Sequence, residues 1–141
     1  MTQLSTLRKA RKGVPLDLVV FSACRTAWGD ADAELGFSGL ALQAGARSAI
    51  GTLWYVDDVM TSAYFVQMNR FLEQGIPKAE AMQMTRQAFI QNLIKLSGDE
   101  LLGVGGLPLL KELTSSQQRR VSNGVSNPFF WAGLELMGAP W

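Results

Sequence analysis

The chain has 141 residues, 48% of them apolar and 18% charged, with 13 Lys and Arg against 12 Asp and Glu. That length suits a single domain with one core, and a net charge of +1 excludes a disordered polyion and gives nucleic-acid binding no electrostatic support. Histidine is absent, which removes the commonest general base and the commonest zinc ligand, so catalysis of the Ser-His or Cys-His kind has to take its imidazole from outside these residues.

In chain order, residues 4–11, "LSTLRKAR", set Leu4 and Leu7 on one face and charges on the other, predicting a short surface helix that ends at Gly13. After Pro15, "LDLVVFSA" at 16–23 reads as a strand buried on both faces, as inside a parallel sheet. A polar turn follows, and "GFSGLALQAG" at 36–45 predicts a small-residue helix stopped by glycine. "ARSAIGTLW" at 46–54 is a second buried strand, so the order strand, helix, strand predicts a crossover unit with parallel strands.

Asp57 or Asp58 is placed to cap the next helix, whose apolar stripe is Met60, Tyr64, Met68, Phe71 and Leu72. Gly75 ends it, Pro77 opens another that runs to about Leu96, and Met82, Phe89, Leu93 and Leu96 face inward. The methionines share the stripe with Phe and Leu, which marks them as core filler. Residues 97–127 are rich in Gly, Ser, Asn and Gln and read as a flexible insertion with one short helix at 108–113, and residues 129–137 form a last strand. No repeat is visible. No stretch reaches the ~18 apolar residues of a membrane span, and the amino terminus lacks the apolar core of a signal peptide, so a cytoplasmic protein without membrane contact is expected.

Chemistry-bearing residues are few. Cys24, the single cysteine, follows the first strand at the carboxyl edge of the sheet, where ligands and catalytic groups gather. Two readings stand: a nucleophile, with Arg25 favouring the thiolate and amides of the turn near Gly29 facing an oxyanion, or an inert buried thiol. A single cysteine forms no internal disulfide. Arg8, Lys9, Arg11 and Lys12, and the pair Arg119 and Arg120, read as solvated faces. "GVGGLP" at 103–108 lacks the lysine of a phosphate loop. The turn acids Asp30, Asp32 and Glu34 read as solvated rather than as ligands to a hard cation, so neither metal nor cofactor is expected.

The stretches "DLVVFSACRTAWGD", "AELGFSGLALQAGARSAIGTLWYVDD", "KAEAMQMTRQAF" and "NPFFWAGLELMGAPW" together resemble the carboxyl-terminal half of a CHAT domain, the caspase-like domain often joined to tetratricopeptide repeats in bacteria, cyanobacteria especially. The resemblance covers nearly the whole chain outside 97–127, and "GTLWYVDD" is similar to a segment of separase, a related protease. It implies an α/β fold with a caspase-like, mostly parallel sheet flanked by helices, here the carboxyl-terminal part of the domain. It further implies a cysteine endopeptidase in which Cys24 is the nucleophile of a Cys-His dyad. The partner histidine belongs to an upstream "HG"-type motif, so the sequence is expected to be a fragment that holds the nucleophile, lacks its base and is nearly inactive alone.

Substrate-binding positions also follow from the resemblance. In separase an acid directly after the tryptophan lines a pocket for arginine; that position is Tyr55 here, and the acids come at Asp57 and Asp58. These acids either face a basic substrate side chain or serve only as a helix cap. The family's usual histidine before the closing aromatic motif is Asn127. The expected partners are a protein or peptide substrate, the tetratricopeptide-repeat region of the same parent protein, and a second copy of the chain joined through an exposed sheet edge. The rival readings are a non-catalytic interaction module on the same fold and a small-ligand α/β domain unrelated to proteolysis.

Overall fold

The computed structural model describes residues 14–21 and 36–141. The helix expected at 4–11 and the polar turn that follows the first strand lie outside those residues. Where length suggested one core, the chain divides into two compact units, one reaching to Tyr55 and resuming over Gly133–Trp141, the other formed by Val56–Ala132.

The first unit is built on β2, Ser48–Thr52, all five residues of which are buried. Small and β-branched side chains without a charge suit a strand covered on both faces. On one side lies β1, Val19–Val20, parallel to it, with Val19 opposite Ala49 and the Phe21 amide donating to Ile50 O at 2.9 Å. The crossover between them carries α1, Gly36–Gln43, which ends before Gly45 at φ 93°, the left-handed conformation glycine adopts without strain. The strand, helix, strand unit therefore forms as the apolar pattern implies. The first strand is less covered than its composition suggests: Val19 is half-buried and Val20 is 40% exposed.

On the other side of β2 runs β6, Leu134–Gly138, in the antiparallel sense. Its first residue, Leu134, pairs with Thr52, the last of β2, so β6 enters the sheet where β2 leaves it and must run back. The expectation of a mostly parallel sheet is corrected here: of the four strand pairings among the described residues, only β1 with β2 is parallel. The last strand also starts later than residue 129, because Pro128–Phe130 winds into a 3-10 turn capped by Asn127, whose Oδ1 accepts from the Phe129 amide at 3.0 Å.

The second unit pairs two helices, α2 at Asp58–Glu73 and α3 at Lys78–Ile90. Met60, Tyr64, Met68 and Phe71 of α2 and Ala81, Met82, Ala88 and Phe89 of α3 are buried, so the methionines fill the core as their spacing implies. Tyr64 Oη donates to Met82 O at 3.1 Å, and its ring lies 5.6 Å from that of Phe89. Burial pushes the Tyr64 hydroxyl well above its ordinary pKa, against the opposing pull of the Arg86 guanidinium, so it stays a neutral donor. The third helix stops at Ile90 rather than near Leu96, since Asn92 turns the chain at φ 51°. Leu93 is consequently 44% exposed instead of inward.

Residues 97–127, expected as a flexible insertion, hold regular structure. Three short strands, β3 Lys95–Ser97, β4 Glu100–Leu102 and β5 Pro108–Leu110, form an antiparallel sheet. The two-residue link Gly98 and Asp99 between β3 and β4, with Gly98 at φ 62°, is a hairpin turn. The helix expected at 108–113 is instead β5, because Pro108 opens a strand that pairs only with β4, an edge position where the missing amide breaks no ladder. The helix of this segment comes later, α4 at Ser115–Val121, behind a capping box of Thr114 and Gln117. Two side chains of α2, three residues apart, hold the glycine turn before β5. Gln67 Oε1 accepts from Val104 N at 2.9 Å, and Arg70 donates to Leu107 O at 3.2 Å and to Pro108 O. Among the described residues no helix is long and apolar enough to cross a membrane.

Candidate functional site

The amino end of α2 is where sequence-selected residues meet partners. Asp57 is its N-cap, with Oδ1 accepting from Val59 N at 2.9 Å and Met60 N at 3.1 Å. Two of the free amides of the first turn are thereby satisfied, and the carboxylates of Asp57 and Asp58 sit at the positive end of the helix dipole. The second oxygen of Asp57 and the Oδ1 of Asp58 both accept from one nitrogen, Nη1 of Arg120, at 2.7 and 2.9 Å. The Asp57 side chain is 11% exposed and that of Asp58 76%. Arg120 comes from α4, some sixty positions along the chain.

The cap reading of Asp57 is therefore realised, and both of its oxygens are committed within the protein. For Asp57 and Asp58 to meet a basic side chain directly, Arg120 would have to be displaced. Tyr55 is 69% exposed and carries no printed-out role in the cap or the ion pairs of α2. Cys24 and Gly29, the sequence-selected nucleophile and oxyanion positions, lie outside the described residues. Among the described residues no cluster of three or more acidic, cysteine or histidine side chains is placed to hold a metal ion.

Arg120, read from sequence as half of a solvated pair, is the residue that sequence reasoning missed. Its partners are fixed only by the fold, so no local pattern points to it. It also lines a cavity of about 590 Å³ together with Asn123, Ser126, Asn127, Pro128 and Phe130.

A family model for the CHAT domain matches residues 1–139. The chain belongs to the CHAT domain family. Membership brings the caspase-like fold and kinship with caspase-like peptidases, in agreement with the mixed α/β architecture and the parallel β1 and β2 pair of this CHAT domain. No curated protein and no solved structure matches the chain.

In this CHAT domain the two functions of Asp57 can be separated by substitution. Asp57→Ala removes cap and ion pair together and is expected to lower the unfolding free energy by about 1–2 kcal/mol. Asp57→Asn keeps an acceptor for the amides and loses only the ionic part of the Arg120 contact, so it should cost under about 1 kcal/mol. Urea unfolding of the two variants checks this, and equal losses would mean that the cap contributes nothing beyond the ion pair.

Proposed function

We propose that the chain is the nucleophile-bearing part of a CHAT-family cysteine endopeptidase. Cys24 attacks the peptide carbonyl, backbone amides about Gly29 hold the oxyanion, and the imidazole that takes the thiol proton comes from outside these 141 residues. The observation that carries the reading is the conjunction of family membership with a lone cysteine three residues beyond Phe21, where the strand paired with β2 runs toward its carboxyl end.

The absence of histidine sets the level of activity. A thiol without an imidazole partner has no group to accept its proton or to protonate the leaving amine, so the chain by itself is nearly inactive. Its partners are peptide or protein substrates and the remainder of the parent protein. Tyr55, Asp57 and Asp58 contribute to substrate selection, with the acids acting through the guanidinium they hold. Self-association through a sheet edge belongs to the same proposal: β1 and β6 each pair on one side only among the described residues.

Labelling by a peptidyl acyloxymethylketone tests the reading, with the modified residue located by mass spectrometry. The chain alone should label no faster than about one hundredth of the rate seen when a histidine-bearing amino-terminal half of a CHAT domain is present in the same polypeptide. Cys24→Ala should label in neither case. Equally fast labelling of the chain alone would refute the missing-base argument. No labelling of the extended polypeptide would favour the interaction module, in which the fold survives as a docking surface.

A further inference from the structure

We infer that the cavity beside Arg120 is a peptide subsite that selects an uncharged carboxamide, the side chain of asparagine or glutamine, over the corresponding carboxylate. Its volume of about 590 Å³ lies within the range of small-ligand pockets. Pro128 and Phe130 supply an apolar wall, against which the methylenes of such a side chain can pack.

The polar groups of the lining are arranged as complementary donors and acceptors. Arg120 gives Nη1 to Asp57 and Asp58, and its Nε and Nη2 have no partner among the described residues. Those two groups form one edge of a planar fork, held in place by the two carboxylates and suited to a carbonyl oxygen. Asn127 accepts from Phe129 N through Oδ1, which orients its carboxamide and leaves the NH2 group to donate. The Asn123 carboxamide and the Ser126 hydroxyl have no partner among the described residues, and each can accept as well as donate. Ser126 itself is held through its carbonyl, which accepts from Trp131 Nε1 at 3.2 Å.

Charge decides between the two isosteres. Arg120 is the one charged residue of the lining, and its +1 is outweighed by the carboxylates of Asp57 and Asp58, so the three together carry −1. A carboxylate would meet the donors at the cost of that negative field, and it offers no hydrogen to Asn123 or Ser126. A carboxamide meets the donors through its oxygen, supplies two hydrogens to the acceptors and brings no charge. The expected preference is about fivefold, the size of one partly screened like-charge contact. The inference does not depend on Cys24 or on peptidase activity.

The test is a titration of the full chain with N-acetyl-glutamine amide and, separately, N-acetyl-glutamate amide, followed by NMR at the side-chain amides of Asn123 and Asn127 and at Arg120 Nε. Saturable shifts at these groups with both probes, about fivefold tighter for the glutamine form, are expected. Asp58→Asn removes one negative charge at an exposed position and should narrow the preference. Arg120→Ala should abolish the response to both probes. Because that change also releases α4, Asn123→Leu serves as the second variant, weakening the glutamine probe while leaving the glutamate probe as it was. Absence of saturable shifts with either probe, tighter binding of the glutamate form, or a preference unmoved by Asp58→Asn and Asn123→Leu would overturn the inference.

Discussion

Replacing Phe89 by alanine is expected to lower the unfolding free energy by about 3–5 kcal/mol, the loss typical of a buried aromatic ring. Phe89 is completely buried in α3, and its ring packs 5.6 Å from that of Tyr64 in α2. The substitution removes the transfer free energy of the ring and leaves a void that Tyr64 is poorly able to fill, since its hydroxyl is tied to Met82 O. Urea unfolding reads the total loss. Amide exchange should place it, with protection falling in α2 and α3. Leu93→Ala, at a position 44% exposed on the same sequence stripe, should cost under about 1 kcal/mol. Equal losses at the two positions would mean that the helical stripe continues past Ile90 and that Leu93 belongs to the core.

Gly138→Ala is expected to cost about 2–4 kcal/mol, from backbone strain and collision combined. Gly138 ends β6 at φ 94°, opposite Ser48, in a conformation that side chains rarely adopt. A methyl group there would be driven onto the Arg47 carbonyl oxygen, with Leu42 Cδ2 at 2.9 Å and Ser48 Cα at 3.2 Å. That carbonyl accepts from Ala139 N at 2.9 Å, and Ser48 Oγ donates to Ala139 O at 2.7 Å, so relief of the clash would open the final rung of the sheet. Gly75→Ala is the control: its φ is 82°, but a methyl there meets nothing within 4 Å, and only about 1 kcal/mol of strain is expected. Thermal unfolding of the pair separates strain from collision. A loss at Gly138 no larger than that at Gly75 would show that the β6 terminus shifts without resistance.

Local patterns that carry their own cause were legible. The crossover of β1, α1 and β2 follows from two apolar runs about a glycine-terminated helix, and the Asp57 cap and the buried face of α2 follow from residue type and helical spacing. Residues 97–127 misled because their Gly, Ser and Asn content was read as an absence of structure. The Gly98 and Asp99 pair between two leucine-bearing runs was in fact a hairpin signal, and Pro108 was compatible with an edge strand. At the candidate site, Asp57 and Asp58 were visible as acids beside a helix start. Arg120 was not, because its meaning comes from residues some sixty positions away.

The sequence by itself determined the family, the sole thiol and the missing imidazole, because these are matters of residue identity and of short stretches whose chemistry is local. Only the tertiary structure decided that β6 runs antiparallel to β2 and that one guanidinium bridges both carboxylates at the start of α2. Strand direction depends on which end of the sheet the returning chain reaches, and ion pairing on which side chains the packing brings within about 3 Å, and neither is encoded in any local period.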